Sequence, residues 1–366
     1  MKFLSEYRDA DLAKKYLAEI HSTVTREWNV MEVCGGQTHS LVKNGIMDLL
    51  PKEVQMIHGP GCPVCVTPLN LIDKAIYLAE GKNVILCSFG DMLRVPGSKK
   101  SLLQAKAGGA DVRILYSPME AVQIASENPD KEVVFFAVGF ETTAPANALS
   151  IDKAYDLGLT NYSILASQVL VPPAMEAVIE DEESKIDAFL AAGHVCTIMG
   201  MDEYYPLVAH YRIPMVVTGF EPVDLLQGIL LTVQQLEKGK AELQNQYSRV
   251  VKPKGNPKAQ ELIRKIFMVS DREWRGIGTI PASGFEVRPK YAAFDANLKF
   301  TIQVEKVEEP KECIAGLVLK GIKKPKQCSQ FGKKCTPQNP MGAPMVSSEG
   351  ACAAYYHFSG AAETVA

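Results

Sequence analysis

The sequence has no basic excess. Lys and Arg number 39 against 42 Asp and Glu, a formal net charge of −3. A nucleic-acid surface would show as clustered positive charge in a basic domain, so no nucleic-acid partner is expected. Two lysine-rich stretches, Gly321 to Lys326 and Lys333-Lys334, read as solvated faces. Long apolar runs are also missing: none approaches the ~18–20 residues that cross a bilayer. Met1 to Arg8 is polar and mixed in charge, unlike the apolar core of a signal peptide. No membrane contact is expected, and the chain is assigned to the cytoplasm. The motifs G-x-x-x-x-G-K-[ST], G-x-G-x-x-G after a strand, H-E-x-x-H and G-x-S-x-G are absent. Nucleotide-driven and hydrolase chemistry therefore lack support.

What is present is an ordinary globular composition, 47% hydrophobic and 22% charged over 366 residues, enough for two or three domains. Short runs rich in Val and Ile predict strands at Val30–Val33, Val54–His58, Val84–Phe89, Val112–Tyr116, Val133–Val138, Tyr162–Ala166, Val195–Met199 and Met215–Thr218. Continuous rather than alternating, they read as strands covered on both faces. Helices are predicted between them, at Leu71–Glu80, Met119–Asn128, Ala144–Leu157 and Met175–Ala192. That rhythm implies parallel sheets with crossover helices. Gly139-Phe140-Glu141 and Gly219-Phe220-Glu221 each follow a strand and precede a helix, which suggests two similar α/β domains related by duplication. The expected division is 1–140, 141–238 and 239–366. After the linker-like Lys252 to Pro257 come a helix, Ala259–Phe267, and a strand-like piece, Phe300–Val304. The tail from Glu308 is too poor in apolar periodicity to fold on burial alone and needs a staple.

Nine cysteines in a reducing compartment are ligands, redox centres or core residues rather than a disulfide framework. Cys313, Cys328, Cys335 and Cys352 are separated by fourteen, six and sixteen residues. Four thiolates can surround an iron–sulfur cubane or one zinc. Structural zinc prefers C-x-x-C knuckles, and this tail has none. Cys62 and Cys65, in Gly59-Pro60-Gly61-Cys62-Pro63-Val64-Cys65, follow a strand and read as a redox dithiol or half of a zinc site. Cys34 opens Cys34-Gly35-Gly36-Gln37-Thr38-His39. A thiolate, an imidazole and free amides at one loop suit a soft metal or a small anion. In open parallel sheets ligands bind beyond the carboxyl ends of strands, where Cys34, Cys62, Cys65, Gly90-Asp91, Glu141, Thr142, Thr143 and Glu221 all fall. Cys87 and Cys196 lie inside apolar runs and read as core, with His194 ambiguous beside the second.

The motifs Cys34 to His39, Gly59 to Cys65, Gly139-Phe140-Glu141-Thr142-Thr143-Ala144-Pro145 and Gly219 to Pro222, with the four tail cysteines, resemble the HypD family of nickel–iron hydrogenase maturation factors. The resemblance covers nearly the whole chain. It implies a scaffold for an iron centre carrying cyanide and carbon monoxide, Fe(CN)2CO. It also implies a C-terminal 4Fe–4S cluster domain, a HypC-type small chaperone, a HypE-type cyanide donor and, indirectly, the hydrogenase large-subunit precursor. Cys34 would bind iron, shared with a cysteine of the chaperone. Cys62 and Cys65 would form the redox pair between cluster and iron, and His39 would orient or handle protons near Cys34. The arrangement is similar to that of ferredoxin–thioredoxin reductase, so a thiol–disulfide oxidoreductase is the alternative function.

Overall fold

The computed structural model describes residues 5–305, 307 and 309–359; the last seven residues of the region expected as a third domain lie outside these. The strands run in chain order as β1 (Trp28–Glu32), β2 (Val54–His58), β3 (Val84–Ser88), β4 (Asp111–Ile114), β5 (Glu132–Gly139) and β6 (Tyr162–Val169). They continue as β7 (Ala188–Ala192), β8 (Met215–Thr218), β9 (Leu243–Asn245), β10 (Phe267–Trp274) and β11 (Gly278–Val287). They make two sheets. One has the order β2-β1-β7-β8-β9, the other β10-β11-β6-β5-β3-β4. Every pairing in the first is parallel. In the second, β3 to β6 are parallel and the β10–β11 hairpin adds antiparallel to β6. The mixed α/β architecture with parallel strands and crossover helices follows the sequence pattern. Val133 to Val138 and all of β6 are buried, as continuous apolar runs require when helices cover both faces.

Sheet membership is not sequential. The chain leaves the first sheet after β2, builds β3 to β6, and returns for β7 to β9. The boundary expected at 140/141 falls between β5 and β6, which are hydrogen-bonded neighbours. Both sheets nevertheless share a plan. An interior strand (β1 or β3) is followed by its neighbour on one side (β2 or β4), then by strands laid outward in order on the other (β7, β8 and β9, or β5 and β6). The two Gly-Phe-Glu echoes follow β5 and β8, which hold different places in that plan.

Two local expectations are overturned around residue 190. The helix expected over Met175–Ala192 stops at Ile179, and Ala188-Phe189-Leu190-Ala191-Ala192 is a strand. Helix propensity is a weak prior; this five-residue run is buried between β1 and β8, and burial decides. The strand expected at Val195–Met199 is a helix, Gly193–Met199, and Thr197 Oγ1 donates back to the Gly193 carbonyl at 3.0 Å. Cys196 is buried there, on a helix rather than in a strand. Phe300–Val304 forms no strand; Phe300 and Ile302 pack against the core of the second sheet.

Reversal of strand order creates a crevice between β1 and β7, the place where open α/β sheets bind ligands. Cys34 follows β1, and Gly193-His194 follows β7. The C-terminal segment folds over this region: Leu319 joins the core that holds Cys34, Cys62 and Cys65, while Ala343 and Val346 join the second-sheet core. Arg94 Nη2 donates to the Val346 carbonyl at 3.0 Å. Among the described residues no helix is long and apolar enough to cross a membrane.

Candidate functional site

Cys34 caps the helix Gly35–Lys43, and its carbonyl accepts from the amides of Gln37 (2.9 Å) and Thr38 (3.1 Å). Its own amide donates to Glu32 Oε2 at 3.1 Å, and the Gly35 amide donates to the Gly61 carbonyl at 2.7 Å. The second contact locks the Cys34 loop to the loop of the cysteine pair. A Cβ on Gly61 would lie 2.5 Å from Cys34 Cα, so only glycine permits that approach. The Cys34 thiol is 3% exposed and faces His194, with Sγ 3.6 Å from Nε2. The imidazole stacks on Phe220, centroids 4.9 Å apart. Burial pulls the His194 pKa down to about 4, so the ring is neutral at neutral pH. Burial, then the nearby Glu349 carboxylate, pushes the Cys34 thiol up. A soft sulfur beside a neutral imidazole is a donor pair for a soft or borderline metal.

His194 was ambiguous in sequence; the crevice gives it the position expected for His39. The His39 ring instead contacts the Ser348 carbonyl (Nδ1–O 3.1 Å) and the edge of Phe358. Beneath Cys34 lies a group that sequence reasoning missed. Glu32, fully buried, accepts from the Thr38 hydroxyl and contacts His58 Nδ1 at 2.7 Å; His58 Nε2 meets the Tyr355 hydroxyl at 3.0 Å. Burial pushes the Glu32 pKa up, opposed by these partners. A carboxylate in an apolar strand was the available signal, since buried charge demands partners.

Cys62 and Cys65 are joined by a disulfide at the start of the one-turn helix Pro63–Val66, with Cα atoms 5.2 Å apart. Both are buried. They line a small cavity with Gly35, Thr38 and His58 on one side and Val318, Leu319, Pro344, Glu349 and Ala351 of the tail on the other. The four tail cysteines share a second, mainly apolar cavity with Phe331, Met345 and the same Pro344. The Met341 amide donates to Cys335 Sγ at 3.4 Å, and a Cβ on Gly342 would lie 2.6 Å from Cys313 Sγ. Burial and then the other three thiols push Cys352 up. Among the described residues no group of three or more His, Cys, Asp or Glu is set to hold a metal ion. Thiols around a single zinc stand about 3.8 Å apart, as tetrahedral Zn–S bonds of ~2.3 Å require. Four thiols lining one cavity are a donor set of the kind that can take either zinc or an iron–sulfur cluster.

Glu141 belongs to a different surround. Its Oε1 accepts from the Val171 amide at 2.8 Å, while Oε2 is buried without a partner. Burial pushes its pKa up to about 8, and it sits in the field of Cys196 and Tyr204. Thr142 is half-buried beside it, and Thr143 caps the next helix. Glu221 pairs with Arg8 (Nη2–Oε1 3.0 Å), and Asp91 with Arg94 (2.9 Å). Cys87 is buried in the core of the second sheet.

Two sheets built largely of parallel strands, with Cys34, Cys62 and Cys65 beyond the carboxyl ends of β1 and β2, define an α/β protein whose candidate site is rich in cysteines. The chain belongs to the HypD family: the family described as "HypD: Hydrogenase formation hypA family" matches residues 11–359. It is 47% identical to the hydrogenase maturation factor HypD of Azotobacter vinelandii over 98% of this chain and 97% of that one. It is 46% identical to HypD of Rhodobacter capsulatus over 99% of both. With HypD of Escherichia coli K12 the identity is 45% over 98% of both. Its role is that of a hydrogenase maturation factor.

Proposed function

We propose that the chain is the scaffold on which the Fe(CN)2CO centre of a nickel–iron hydrogenase is assembled, and that it also supplies electrons to that assembly. The observation that carries this reading is the shared wall between the two cavities: Pro344 lines both the Cys62–Cys65 cavity and the four-cysteine cavity. Cys34 and His194 would hold the iron cargo, with a thiolate from a HypC-type chaperone completing the grip and a HypE-type protein bringing cyanide. The product would pass to the hydrogenase large-subunit precursor. Cys313, Cys328, Cys335 and Cys352 would hold a 4Fe–4S cluster, which when bound supplies electrons singly. The Cys62–Cys65 bond takes up two electrons on opening. Its burial shields the pair from solvent thiols, which favours entry of electrons through the tail that covers it. The oxidoreductase alternative needs no third thiol, and Cys34 facing a neutral imidazole favours the scaffold.

Anaerobic purification tests the reading. The expected protein is brown, with about four cluster irons per chain. Cys34→Ala should abolish retention of added iron, and His194→Ala should weaken it at least ~10-fold, both with the chromophore intact. Cys62→Ala and Cys65→Ala should retain iron yet fail to deliver it fully cyanated. A colourless chain holding one zinc, or full cyanation by the Cys62 and Cys65 variants, would sink the proposal.

A further inference from the structure

The lysines of the tail are distributed unlike any other charge in the chain. Cys313 to Ser348 holds six lysines and no Asp or Glu. The segment therefore carries +6, against −9 for the rest of a chain whose net charge is −3. Lys320 is paired with Asp181 at 2.8 Å. The other five, Lys323, Lys324, Lys326, Lys333 and Lys334, are exposed and, among the described residues, make no ion pair. Two are held by neutral partners: Lys324 Nζ donates to Gln55 Oε1 at 3.0 Å and Lys326 Nζ to the Ser359 carbonyl at 2.7 Å. Their charge is positioned without being neutralised.

Position gives the charge meaning. Lys323, Lys324 and Lys326 line the rim of an open cavity of about 610 Å³, together with Lys185 and one acid, Glu183. Lys333 and Lys334 occupy the turn between Cys328 and Cys335. The two lysine groups thus lie on either side of Cys328 in the chain, a half-exposed thiol of the four-cysteine cavity. Surface lysines alone are ordinarily a solvated face. An excess of unpaired positive charge flanking Cys328, with the exposed Glu312 as an acid beside that thiol, is what steers a macromolecule of opposite charge, raising association rates by roughly 10–1,000-fold. A small anion would need buried polar donors converging on it, and the five lysines are spread over two exposed loops.

We propose that this lysine-bearing face docks a small acidic iron–sulfur carrier protein that delivers electrons one at a time beside Cys328. The proposal rests on the cluster reading above. Each visit transfers one electron and the carrier leaves oxidised by one. Two visits supply the two electrons that, with two protons from solvent, convert the Cys62–Cys65 disulfide into two thiols.

The test uses the full chain, purified anaerobically, with an acidic plant-type ferredoxin as probe and basic cytochrome c and a short DNA duplex as controls. Affinity is read at about 20 mM and about 500 mM salt, a range over which the screening length falls several-fold. The expected result is salt-sensitive binding of ferredoxin and none of cytochrome c. Reversal of four lysines (Lys323→Glu, Lys324→Glu, Lys333→Glu, Lys334→Glu) should weaken that binding at least ~10-fold at low salt. The same variant should keep its chromophore and accept electrons from reduced methyl viologen at no less than the normal rate. Unchanged ferredoxin affinity in the variant would overturn the docking proposal, as would equally tight binding of DNA, which would mark a general polyanion surface. A brown protein that binds no ferredoxin refutes the docking alone, whereas a colourless one refutes the cluster reading and the docking with it.

Discussion

At the residue scale, burial assigns different chemistry to identical side chains. Cys87 is core, Cys34 faces an imidazole, and Cys62 is bonded to Cys65. Glu141 gives the sharpest solution prediction. Its folded pKa is near 8 against an ordinary 4.5, so the folded state keeps a proton that the unfolded chain has lost across that interval. The contribution is fully present below about pH 4.5, declines as pH rises, and is gone above about 8. The slope is at most ~1.4 kcal/mol per pH unit. Glu141→Gln should therefore be relatively more stable than the parent at pH 8 than at pH 5, read as the difference in urea midpoints. An equal difference at the two pH values would show that the carboxyl is ionised in the fold. The strand-end places of Cys34, Cys62, Cys65 and Glu141 were legible in sequence because their motifs follow strands. His194 was only half legible, because its partner is 160 residues away. His39, adjacent in sequence to the right loop, lies on the wrong side of its helix.

At the element scale, the site depends on loops that pass closer than side chains allow. Gly61→Ala would press a methyl against the Cys34 backbone. Overpacking of this kind costs about 1–3 kcal/mol, and iron retention should fall with it. Gly90→Ala meets only ordinary contact, with Ile114 Cγ2 at 3.6 Å, and should behave as the parent in thermal melts and iron titrations. Gly342→Ala acts on the other cavity: its methyl would displace Cys313 Sγ, so the chromophore should bleach or diminish while the melting temperature moves little. Loss of both together would mean that the tail folds only around its metal. Element types were largely readable from apolar runs, β2 and β8 to the residue. The exceptions were Phe300–Val304, which forms no strand, and the Ala188–Met199 stretch, where Ala-rich and β-branched runs took the opposite structures because tertiary burial overrode local propensity.

At the scale of the whole molecule, the tail closes the site. Leu319, Val346 and Tyr355 are buried against the two units, and each such side chain is worth about 1.5–3 kcal/mol of transfer free energy. A chain ending after Glu305 should melt several degrees lower, and its Cys62–Cys65 pair should become open to reduction and alkylation by small thiol reagents. Mass spectrometry after brief reductant exposure reads this directly, and protection equal to that of the full chain would show that the tail is no cover. The sequence by itself determined the α/β class, the strand-end address of the motifs and the grouping of cysteines, because apolar periodicity and motif spacing are local properties of a chain. It also showed a run of lysines without acids, though not what surrounds them. Only the tertiary structure decided that the chain leaves the first sheet and returns to it. That return brings β7 beside β1, and with it His194 to Cys34, and it leaves the tail spanning both units. Strand order is set by which buried faces fit together over distances of 100 residues or more, and no local pattern encodes that fit.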